Sequence, residues 1–420
     1  MTNKLPQGWV ECKLGDIVEY KKGKKPKVLQ AEYSEGLLPY VDIKCFEKNI
    51  IENYTNSNDG VLIDNKNILV VWDGARAGFC GSYNNRGILG STIMALSPLL
   101  VNKKLIEYFI QSKFQILNKQ TKGTGIPHVK PDLFWNFLFK LPPLNEQKRI
   151  VEKIEEEFGK IDEGVEKLKL AQEQIKQYRQ SVLKSAFEGK LYKTTEWEEK
   201  TLEEITSYIQ RGKSPKYSEE ENNYFIINQK CIRWNNLQCE FKKFVTPVFW
   251  DSLSQERFLQ AGDILWNSTG TGTIGRAYLF KGDELNSAIV DSHVTIVRVK
   301  KDDILSEFLF YFIMSPFVQY KIETMQNGST NQVELGRTEI KNTRINLPTI
   351  DEQKQIVKEI EKRFEAADEA ERVIAENLEK AEQLKQSILK KAFEGRLVPQ
   401  DPTDQPASEL LAQIQAERNK

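Results

Sequence analysis

Residues 141–192 read LPPLNEQKRIVEKIEEEFGKIDEGVEKLKLAQEQIKQYRQSVLKSAFEGKLY, and residues 347–398 read LPTIDEQKQIVKEIEKRFEAADEAERVIAENLEKAEQLKQSILKKAFEGRLV. The two stretches align without a gap, and 23 of their 52 positions are identical, including the closing Ala-Phe-Glu-Gly-x-Leu. Such identity at a constant separation of 206 residues indicates a tandem duplication. The chain is therefore predicted to consist of two copies of one unit.

Each copy of the repeat is predicted to form one long helix. Asn145 or Asp351 is placed to cap its start, and Gly189 or Gly395 stands where it would end. Apolar or small residues recur in between at three- and four-residue spacing, which is typical of a coiled-coil seam. They are Val151, Ile154, Phe158, Ile161, Val165, Leu168, Ile175 and Val182 in the first copy, and Val357, Ile360, Phe364, Ala367, Ile374, Leu378, Ala381 and Ile388 in the second.

The lengths of the segments predict how the two helices pair. A helix of about 40 residues is roughly 60 Å long, whereas a domain of the size of residues 193–346 is about 40 Å across. Parallel helices would require this domain to bridge the whole helix, whereas antiparallel helices bring both its ends together. We therefore predict an antiparallel coiled coil with the two globular domains at opposite ends, which returns the chain close to its own N-terminus.

The whole chain is predicted to be an α+β, pseudo-two-fold, cyclic tandem repeat. The short β runs are Asn67–Trp72, Gly87–Leu96, Phe225–Asn228, Asp263–Trp266 and Ser292–Val299, and the helical stretches are Lys103–Lys119 and Ile304–Glu323. Pairing should be mostly antiparallel. The predicted segments are a first domain (1–140), a central spacer helix (141–192), a second domain (193–346), a C-terminal spacer helix (347–398) and a tail (399–420) packed near the first domain.

Composition restricts the class of protein. Residues 1–140 carry 19 Lys and Arg against 13 Asp and Glu, whereas residues 193–346 carry 19 against 21. Only the first domain therefore has the basic excess that suits phosphate. The five cysteines are scattered and only two histidines are present, so a zinc site is not expected. A signal peptide and a membrane span are not evident, and we expect a cytoplasmic protein.

No motif for catalysis in the sequence has the residues and the context that its chemistry requires. Residues 270–275 match G-x-G-x-x-G, but the following Arg-Ala-Tyr-Leu-Phe is typical of a strand, whereas a dinucleotide fingerprint opens a helix. A Walker A loop and the Asn-Pro-Pro-aromatic tetrapeptide of adenine methyltransferases are both missing. The chain is predicted to be non-catalytic.

Polar and basic segments near glycines are candidates for DNA contact. Lysines flank a Gly and a Pro in both domains, at 23–27 and 212–216; a donor-rich Gly loop follows a strand, and a second polar loop precedes the last strand. A solvated charge run and ordinary loops are the alternatives. The candidates are Lys21, Lys24, Lys25, Lys27, Arg76, Lys122, Thr124 and His128 in the first domain, and Lys213, Lys216, Asn267, Ser268, Thr269, Thr271, Arg276, Asn327, Ser329, Thr330 and Asn331 in the second.

The repeated L-P-x-x-x-E-Q-K-x-I-V start, the A-F-E-G-[KR]-L end and the segment DILWNSTGTGTIG resemble a type I restriction–modification specificity subunit over essentially the whole chain. The resemblance implies two target-recognition domains, each reading one half of a split site in double-stranded DNA. It also implies spacer helices that dock two adenine-N6 methyltransferase subunits, which a restriction subunit joins. S-adenosylmethionine, ATP and magnesium would belong to these partners, and no cofactor or metal to this chain.

The residues assigned to the helix-pair and subunit interface are Val151, Ile154, Phe158, Ile161, Phe187, Val357, Ile360, Phe364, Ile374 and Phe393. A paired rod of fixed length would set the spacer between half-sites about one helical turn apart. Two alternatives stay open on the sequence: a coiled-coil scaffold without a DNA role, and an enzyme with an unrecognised site or the recognition half of a fused restriction–methyltransferase.

Overall fold

The computed structural model of the chain describes residues 5–56, 58, 60–121, 126–234, 236–270, 272–283, 287–322, 324, 326–327 (backbone only) and 334–418. Backbone contacts divide it into unit 1, Met1–Leu168 with Glu376–Lys420, and unit 2, Lys169–Ala375. Each unit thus combines one globular domain with parts of both long helices. Within the described part of the chain, no helix has the length and apolarity that a membrane crossing requires.

The first globular domain alternates short strands with a few helices before it enters the first long helix. Its elements are β1 Val10–Lys13, β2 Val18–Lys22, β3 Leu37–Val41, α1 Ile43–Lys48, β4 Tyr54–Asn56, β5 Leu62–Ile63, β6 Ile68–Val71, β7 Cys80–Ser82, β8 Gly87–Leu89, β9 Ile93–Pro98, α2 Lys103–Lys119, α3 Pro131–Trp135, β10 Leu138–Leu141 and α4 Leu144–Phe187.

The second globular domain repeats this plan and leads into the second long helix and a short C-terminal helix. Its elements and those that follow are β11 Glu198–Thr201, α5 Leu202–Ile205, β12 Thr206–Arg211, β13 Phe225–Ile227, β14 Lys243–Phe244, α6 Pro247–Asp251, β15 Ile264–Asn267, β16 Ala277–Leu279, β17 Ala288–Val290, β18 Val294–Val299, α7 Ser306–Met314, α8 Pro316–Gln319, β19 Gln326–Asn327, β20 Glu334–Leu335, α9 Arg337–Lys341, β21 Arg344–Leu347, α10 Ile350–Phe393 and α11 Ala407–Arg418.

The central sheets of the two units have the same strand order. It is β2-β9-β6-β7 in unit 1 and β12-β18-β15-β16 in unit 2, and all pairs in both sheets are antiparallel. An antiparallel pair of the first and last strands, β1 with β10 and β11 with β21, closes each domain. Parallel pairs occur between β3 and β8 and between β13 and β17. The predicted α+β class and mostly antiparallel pairing are confirmed.

Two predicted elements were too long. The run Gly87–Leu96 forms two strands, β8 and β9, because the chain turns at Gly90, whose N–H donates to the Val41 carbonyl. The predicted helix Ile304–Glu323 divides into α7 and α8 at Ser315, since the proline that follows has no N–H to continue the ladder of helical hydrogen bonds. In contrast, α2 has the predicted bounds.

The ends of the long helices also differ slightly from expectation. Both helices begin one residue before Asn145 and Asp351, so these residues lie in the first turn and do not cap it. In α10 the cap is Thr349, whose Oγ1 accepts a hydrogen bond from the Glu352 N–H at 3.4 Å. The predicted ends are confirmed: the glycine after each helix, Gly189 or Gly395, has a positive φ of 71° or 68°.

The Glu-Gln pair of the repeated motif fastens each long helix to its own globular domain. Gln147 is buried; its Oε1 accepts from the Asn102 N–H at 2.9 Å and its Nε2 donates to the Pro142 carbonyl at 2.9 Å. Gln353, 206 residues later, accepts from the Leu305 N–H at 2.8 Å and donates to a proline carbonyl at 2.9 Å. This motif therefore satisfies backbone groups that burial would otherwise leave without partners.

Within unit 1, the first part of α4 packs antiparallel to the last part of α10. Arg149 of α4 pairs with Asp404 beyond the end of α10, at 2.6 Å, and Asp162 pairs with Lys385 at 2.5 Å. Residue numbers on one helix thus rise as those on the other fall. Ala407 and Ile414 of the C-terminal helix α11 are buried in the same core.

Within unit 2, the last part of α4 packs against the first part of α10 in the same sense. Arg179 pairs with Asp368 at 2.6 Å, and the residues Val182 and Leu183 share a core with Ile356 and Ile360. The antiparallel pairing that the sequence predicts is confirmed in each unit.

Most residues assigned to the helix-pair and subunit interface are used inside their own unit. Val151, Ile154, Phe187, Val357 and Ile360 are buried in cores that the helices share with the globular domains. Because they are covered, they fasten helix to domain and are not surfaces for a second subunit. Partly buried Ile161 and Phe393 belong to the core of unit 1, Ile374 is buried on α10, and Phe158 and Phe364 line open grooves.

Candidate nucleic-acid interface

Three loop segments of unit 1 converge at one end of its central sheet. They are the lysine turn after β2 (residues 23–27), the Gly loop after β6 (73–78) and the segment before α3 (126–128). The Gly23 N–H donates to the Ile93 carbonyl at 3.0 Å, and the Gly74 N–H donates to the Pro127 carbonyl at 2.8 Å. Backbone hydrogen bonds therefore join the Gly loop to the segment before α3 and hold the lysine turn against β9.

A glycine is required where the lysine turn leaves the sheet. A Cβ on Gly23 would lie 2.0 Å from the Gly90 carbonyl oxygen, and a Cβ on Gly212 would lie 2.0 Å from the Val290 carbonyl oxygen. Any side chain would push the turn away from the sheet. This equal constraint explains why the Gly-Lys-x-Pro-Lys sequence occurs at the same place in both units.

The side chain of Asp73 connects the Gly loop to the end of β2 and to the segment before α3. Its Oδ2 accepts from Lys22 Nζ at 2.8 Å, and its Oδ1 lies 2.6 Å from His128 Nδ1. A backbone bridge also joins Asp73 and His128. His128, a predicted contact residue, is thus exposed and held in place by a carboxylate.

Unit 2 repeats this arrangement with different side chains. The Gly212 N–H donates to the Val294 carbonyl at 3.1 Å, and a backbone bridge joins Thr269 to Glu334 as Asp73 is joined to His128. Thr269 Oγ1 lies 2.6 Å from His293 Nδ1. Burial raises the pKa of the neighbouring Asp291, which accepts from the His293 N–H.

The Gly loop of unit 2 contains two predicted contact residues that are buried. Asn267 Nδ2 donates to the Gln229 and Thr273 carbonyls at 3.1 and 3.2 Å, and Ser268 Oγ donates to the Trp266 carbonyl at 3.1 Å. Both side chains have no exposed surface. Their assignment as DNA contacts is corrected: they support the loop from beneath, because their polar atoms face the protein.

The glycines of the same loop lead into a strand. Gly270, Gly272 and Gly275 have positive φ values of 97°, 80° and 85°, and the chain continues into strand β16. A phosphate-binding fingerprint would open a helix at this point. The expectation that a strand, and not a helix, follows these glycines is confirmed.

Except for Thr269, the remaining predicted residues in the described part of the chain lie at the surface. Arg76 is half-exposed, pairs with Glu47 at 3.2 Å and stacks on Phe79; Arg276 donates to the Gly272 carbonyl at 2.7 Å. Thr269 is largely buried. The exposed lysines of the two turns are Lys21, Lys24, Lys25, Lys27, Lys213 and Lys216. Lys122, Thr124, Thr271, Ser329, Thr330 and Asn331 lie outside the described residues, and Asn327 is described by its backbone alone.

One cation beside the loops, Arg211, was missed from the sequence, whereas Lys22 belongs to the lysine run of the first domain. Lys22 and Arg211 are the last residues of β2 and β12, and each directly precedes the glycine of its lysine turn. The signal was present, because the aligned turns place a basic residue before the glycine in both domains. Among the described residues, no group of three or more His, Cys, Asp or Glu side chains is suited to hold a metal ion.

Comparison with known proteins places the chain in one family. The family described as Type I restriction modification DNA specificity domain matches residues 6–172 and again residues 194–380. The MjaVIII specificity subunit of Methanocaldococcus jannaschii is 31% identical over 416 residues, covering 92% of this chain and 93% of that protein. The EcoKI specificity subunit of Escherichia coli is 24% identical and covers 99% of this chain and 96% of that protein.

Solved structures show the same fold. A chain solved in work on complex assembly and conformational transition of the type I R-M system has a TM-score of 0.68 at 20% identity, and the match covers 94% of this chain and 99% of that one. The HsdS subunit from Thermoanaerobacter tengcongensis gives a TM-score of 0.50 at 20% identity, with 94% and 98% covered. The family and the curated relatives do not support a scaffold without a DNA role. The chain belongs to the type I restriction–modification DNA specificity family, and its function is to provide DNA sequence specificity to such a system.

Proposed function

We propose that unit 1 and unit 2 each dock one methyltransferase subunit, through a groove that the duplication has preserved in both. In this proposal the chain itself is non-catalytic and holds double-stranded DNA, with each unit reading one half of a bipartite target. The restriction subunit joins through the methyltransferase subunits. S-adenosylmethionine, ATP and magnesium are bound by these partner subunits.

The groove of unit 1 lies where α2 meets the long helices. Its volume is about 520 Å³, and aromatic side chains form much of its wall. The rings of Tyr108 and Phe158 meet edge to face with centroids 5.6 Å apart, and Lys385 Nζ lies 5.2 Å from the Phe158 centroid. Burial raises the pKa of Tyr108 to about 12, so its hydroxyl stays protonated.

The groove of unit 2 has the same construction and a volume of about 870 Å³. Tyr311 and Phe364 meet edge to face at 5.8 Å, and the Arg179 guanidinium carbon lies 5.0 Å from the Phe364 centroid. The corresponding side chains of the two grooves are 206 residues apart in the sequence. The pairs are Phe158 with Phe364, Arg179 with Lys385, and the carboxylates that bind these cations, Asp162 with Asp368. Burial raises the pKa of Tyr311 to about 12 as well.

This repeated aromatic–cation–carboxylate group is the observation that carries the proposal. The side chains at the DNA loops differ between the two units, as two different half-sites would require, whereas the grooves match. A surface that stays the same in both copies is suited to bind the same partner twice. Acidic residues at both grooves, with Glu382 in unit 1 and Glu307 and Glu365 in unit 2, favour a partner surface that is basic and apolar.

Charge reversal at the two grooves is expected to remove the methyltransferase subunits one at a time. Glu155 lies beside Tyr108, and Glu361, at the equivalent position, lies beside Tyr311. Glu155→Lys or Glu361→Lys should weaken docking at its own groove by about tenfold or more, because it sets a cation against a basic surface. Native mass spectrometry should then detect one methyltransferase subunit per chain for each single variant and none for the double variant.

The matched control for this experiment is Glu173→Lys. Glu173 is an exposed acidic residue of α4 outside the groove walls, and the variant makes the same change in charge. It should keep both methyltransferase subunits. Two bound subunits on the Glu155→Lys, Glu361→Lys double variant would rule the grooves out as docking sites.

The purified chain is expected to transfer no methyl group to DNA and to hydrolyse no ATP. A radiolabelled S-adenosylmethionine assay on DNA containing the target should give background counts for the chain alone and signal after addition of the methyltransferase subunit. Signal from the chain alone, in a preparation shown to be free of methyltransferase, would contradict a non-catalytic role.

A further inference from the structure

Lys22 and Arg211 occupy the same position in the two units. Lys22 pairs in register with Met94 of β9, and Arg211 pairs with Thr295 of β18. Each is followed by the glycine that the close approach of the backbone requires. Both cations therefore lie at the point where the three loop segments of their unit converge.

Each cation is held by a carboxylate, although the two carboxylates come from different loops. Lys22 Nζ lies 2.8 Å from Asp73 Oδ2, and Asp73 belongs to the Gly loop. Arg211 NH1 lies 2.8 Å from Glu334 Oε2, and its NH2 donates to the Leu335 carbonyl at 2.9 Å. Asp73 and Glu334 lie on opposite sides of equivalent backbone bridges, Asp73 with His128 in unit 1 and Thr269 with Glu334 in unit 2. The pair of charges has thus been kept while the residues that form it have changed.

Stability alone does not account for these two ion pairs. In unit 1 the side chain of Lys22 is 44% exposed and that of Asp73 is 13% exposed, and in unit 2 that of Arg211 is 26% exposed and that of Glu334 is 50% exposed, so each pair has one well-exposed member. Ion pairs with this degree of exposure contribute little to folding, since water and salt screen them. Their common feature is that a cation, oriented by a carboxylate, reaches the surface between the loops assigned to DNA.

We propose that Lys22 and Arg211 are corresponding contacts to the DNA backbone phosphates, and that Asp73 and Glu334 are positioning residues that orient them. The units differ in the side chains that would read bases, whereas a phosphate contact carries no sequence information and can be the same in both. When DNA is absent, the carboxylate neutralises the charge of the cation. DNA that fits poorly is therefore bound less tightly. The proposal rests on the DNA-specificity function of the chain.

The test uses the complex of this chain with its methyltransferase subunits and two DNA duplexes, the target found by methylation mapping and a scrambled duplex of equal length. Lys22→Met and Arg211→Met should each weaken target binding by about fivefold to tenfold, equally for targets altered at single bases. Each should also lower the slope of log affinity against log salt by about 1. The conservative Lys22→Arg and Arg211→Lys variants should keep the wild-type slope.

The carboxylate variants have a different expected result. Asp73→Asn and Glu334→Gln should raise affinity for the scrambled duplex by about threefold to tenfold and so reduce the ratio of target to scrambled binding. The controls Lys153→Met and Lys200→Met remove ion-paired lysines of similar exposure, on α4 and β11, and should change neither slope nor ratio.

The possible outcomes separate this proposal from the function on which it rests. An unchanged salt slope in Lys22→Met and Arg211→Met, or a loss that depends on which base is altered, overturns the phosphate assignment. An unchanged ratio in Asp73→Asn and Glu334→Gln overturns the positioning role. Failure of the wild-type complex to prefer its mapped target would instead count against the DNA-specificity function.

Discussion

Replacement of Val10–Leu141 by Glu198–Leu347 is expected to produce a chain that reads the second half-site twice and no longer reads the first. The substitution exchanges one globular domain for the other at matching points, because Val10 pairs with Leu141 and Glu198 pairs with Leu347 in the closing strands. The loops that would contact DNA move with the domain. A base-pair mismatch typically costs about 1–3 kcal/mol, so several changed positions amount to complete loss of the original half-site.

The repeated contacts between helix and domain make this exchange feasible. Phe109 meets Phe393 with ring centroids 5.3 Å apart, and Phe312 meets Phe187 at 5.2 Å. Phe187 and Phe393 are 206 residues apart, so Phe312 of the transplanted domain would meet the same ring. Trp9 is retained, which keeps its hydrogen bond from Nε1 to Glu146 at 2.9 Å.

Methylation mapping by sequencing of host DNA measures the result of the exchange. Circular dichroism and retention of two methyltransferase subunits would establish that the hybrid chain folds and assembles. The wild-type chain and a hybrid in which residues 10–141 are replaced by themselves through the same cloning junctions are the controls. Persistence of the original first half-site in the folded hybrid would show that residues outside the exchanged domain read DNA.

Replacement of Glu352 by Gln is expected to destabilise unit 2 by about 1.5–3 kcal/mol at pH 7, the range found for hydrogen bonds to a charged group. Glu352 is buried at the start of α10 and accepts hydrogen bonds from the N–H and hydroxyl groups of Thr194 and Thr195, with the N–H groups at 2.6 and 3.1 Å. Gln offers one acceptor oxygen in place of two and turns an NH₂ group towards donors.

Glu146, at the equivalent position of unit 1, provides the matched control. Its Oε2 accepts from Trp9 Nε1 at 2.9 Å and its Oε1 accepts from Gln400 Nε2 at 3.3 Å, so the amide can keep the shorter bond and loses only the longer one. Glu146→Gln is therefore expected to change the stability of unit 1 by less than about 1 kcal/mol. Urea unfolding at pH 7, read by pulsed hydrogen exchange and mass spectrometry, distinguishes peptides of the two units.

Acid should act on the two carboxylates in opposite directions. Burial raises the pKa of Glu352, but the donors of Thr194 and Thr195 outweigh it and hold the pKa at about 2, below the usual 4.5. Its stabilisation is present above pH 4.5 and is lost as the pH falls towards 2. Burial raises the pKa of Glu146, so its contribution is present below 4.5 and is lost as the pH rises through the raised value. If lowering the pH changed the free energy of unfolding of the Glu352→Gln and Glu146→Gln variants equally, this assignment of the two pKa shifts would be contradicted.

The sequence alone determined the duplication, the two long helices, their antiparallel pairing and the position of the lysine turns. Each of these depends on regular spacing along the chain, such as the 206-residue repeat or the three- and four-residue spacing of apolar positions. Such spacing is retained in the folded structure. Gly189 and Gly395 end the helices as predicted because a left-handed residue is needed there. The family resemblance rested on the same motifs.

Only the tertiary structure decided which side chains face outwards and which meet across the fold. Asn267 and Ser268 have the composition of a DNA-contacting loop, yet burial turns their polar atoms to backbone carbonyls. Asp73 and Lys22 are 51 residues apart in the chain and meet because β2 and β6 both pair with β9. Such a contact cannot be predicted from the local sequence, since the contact depends on the order of the strands in the sheet.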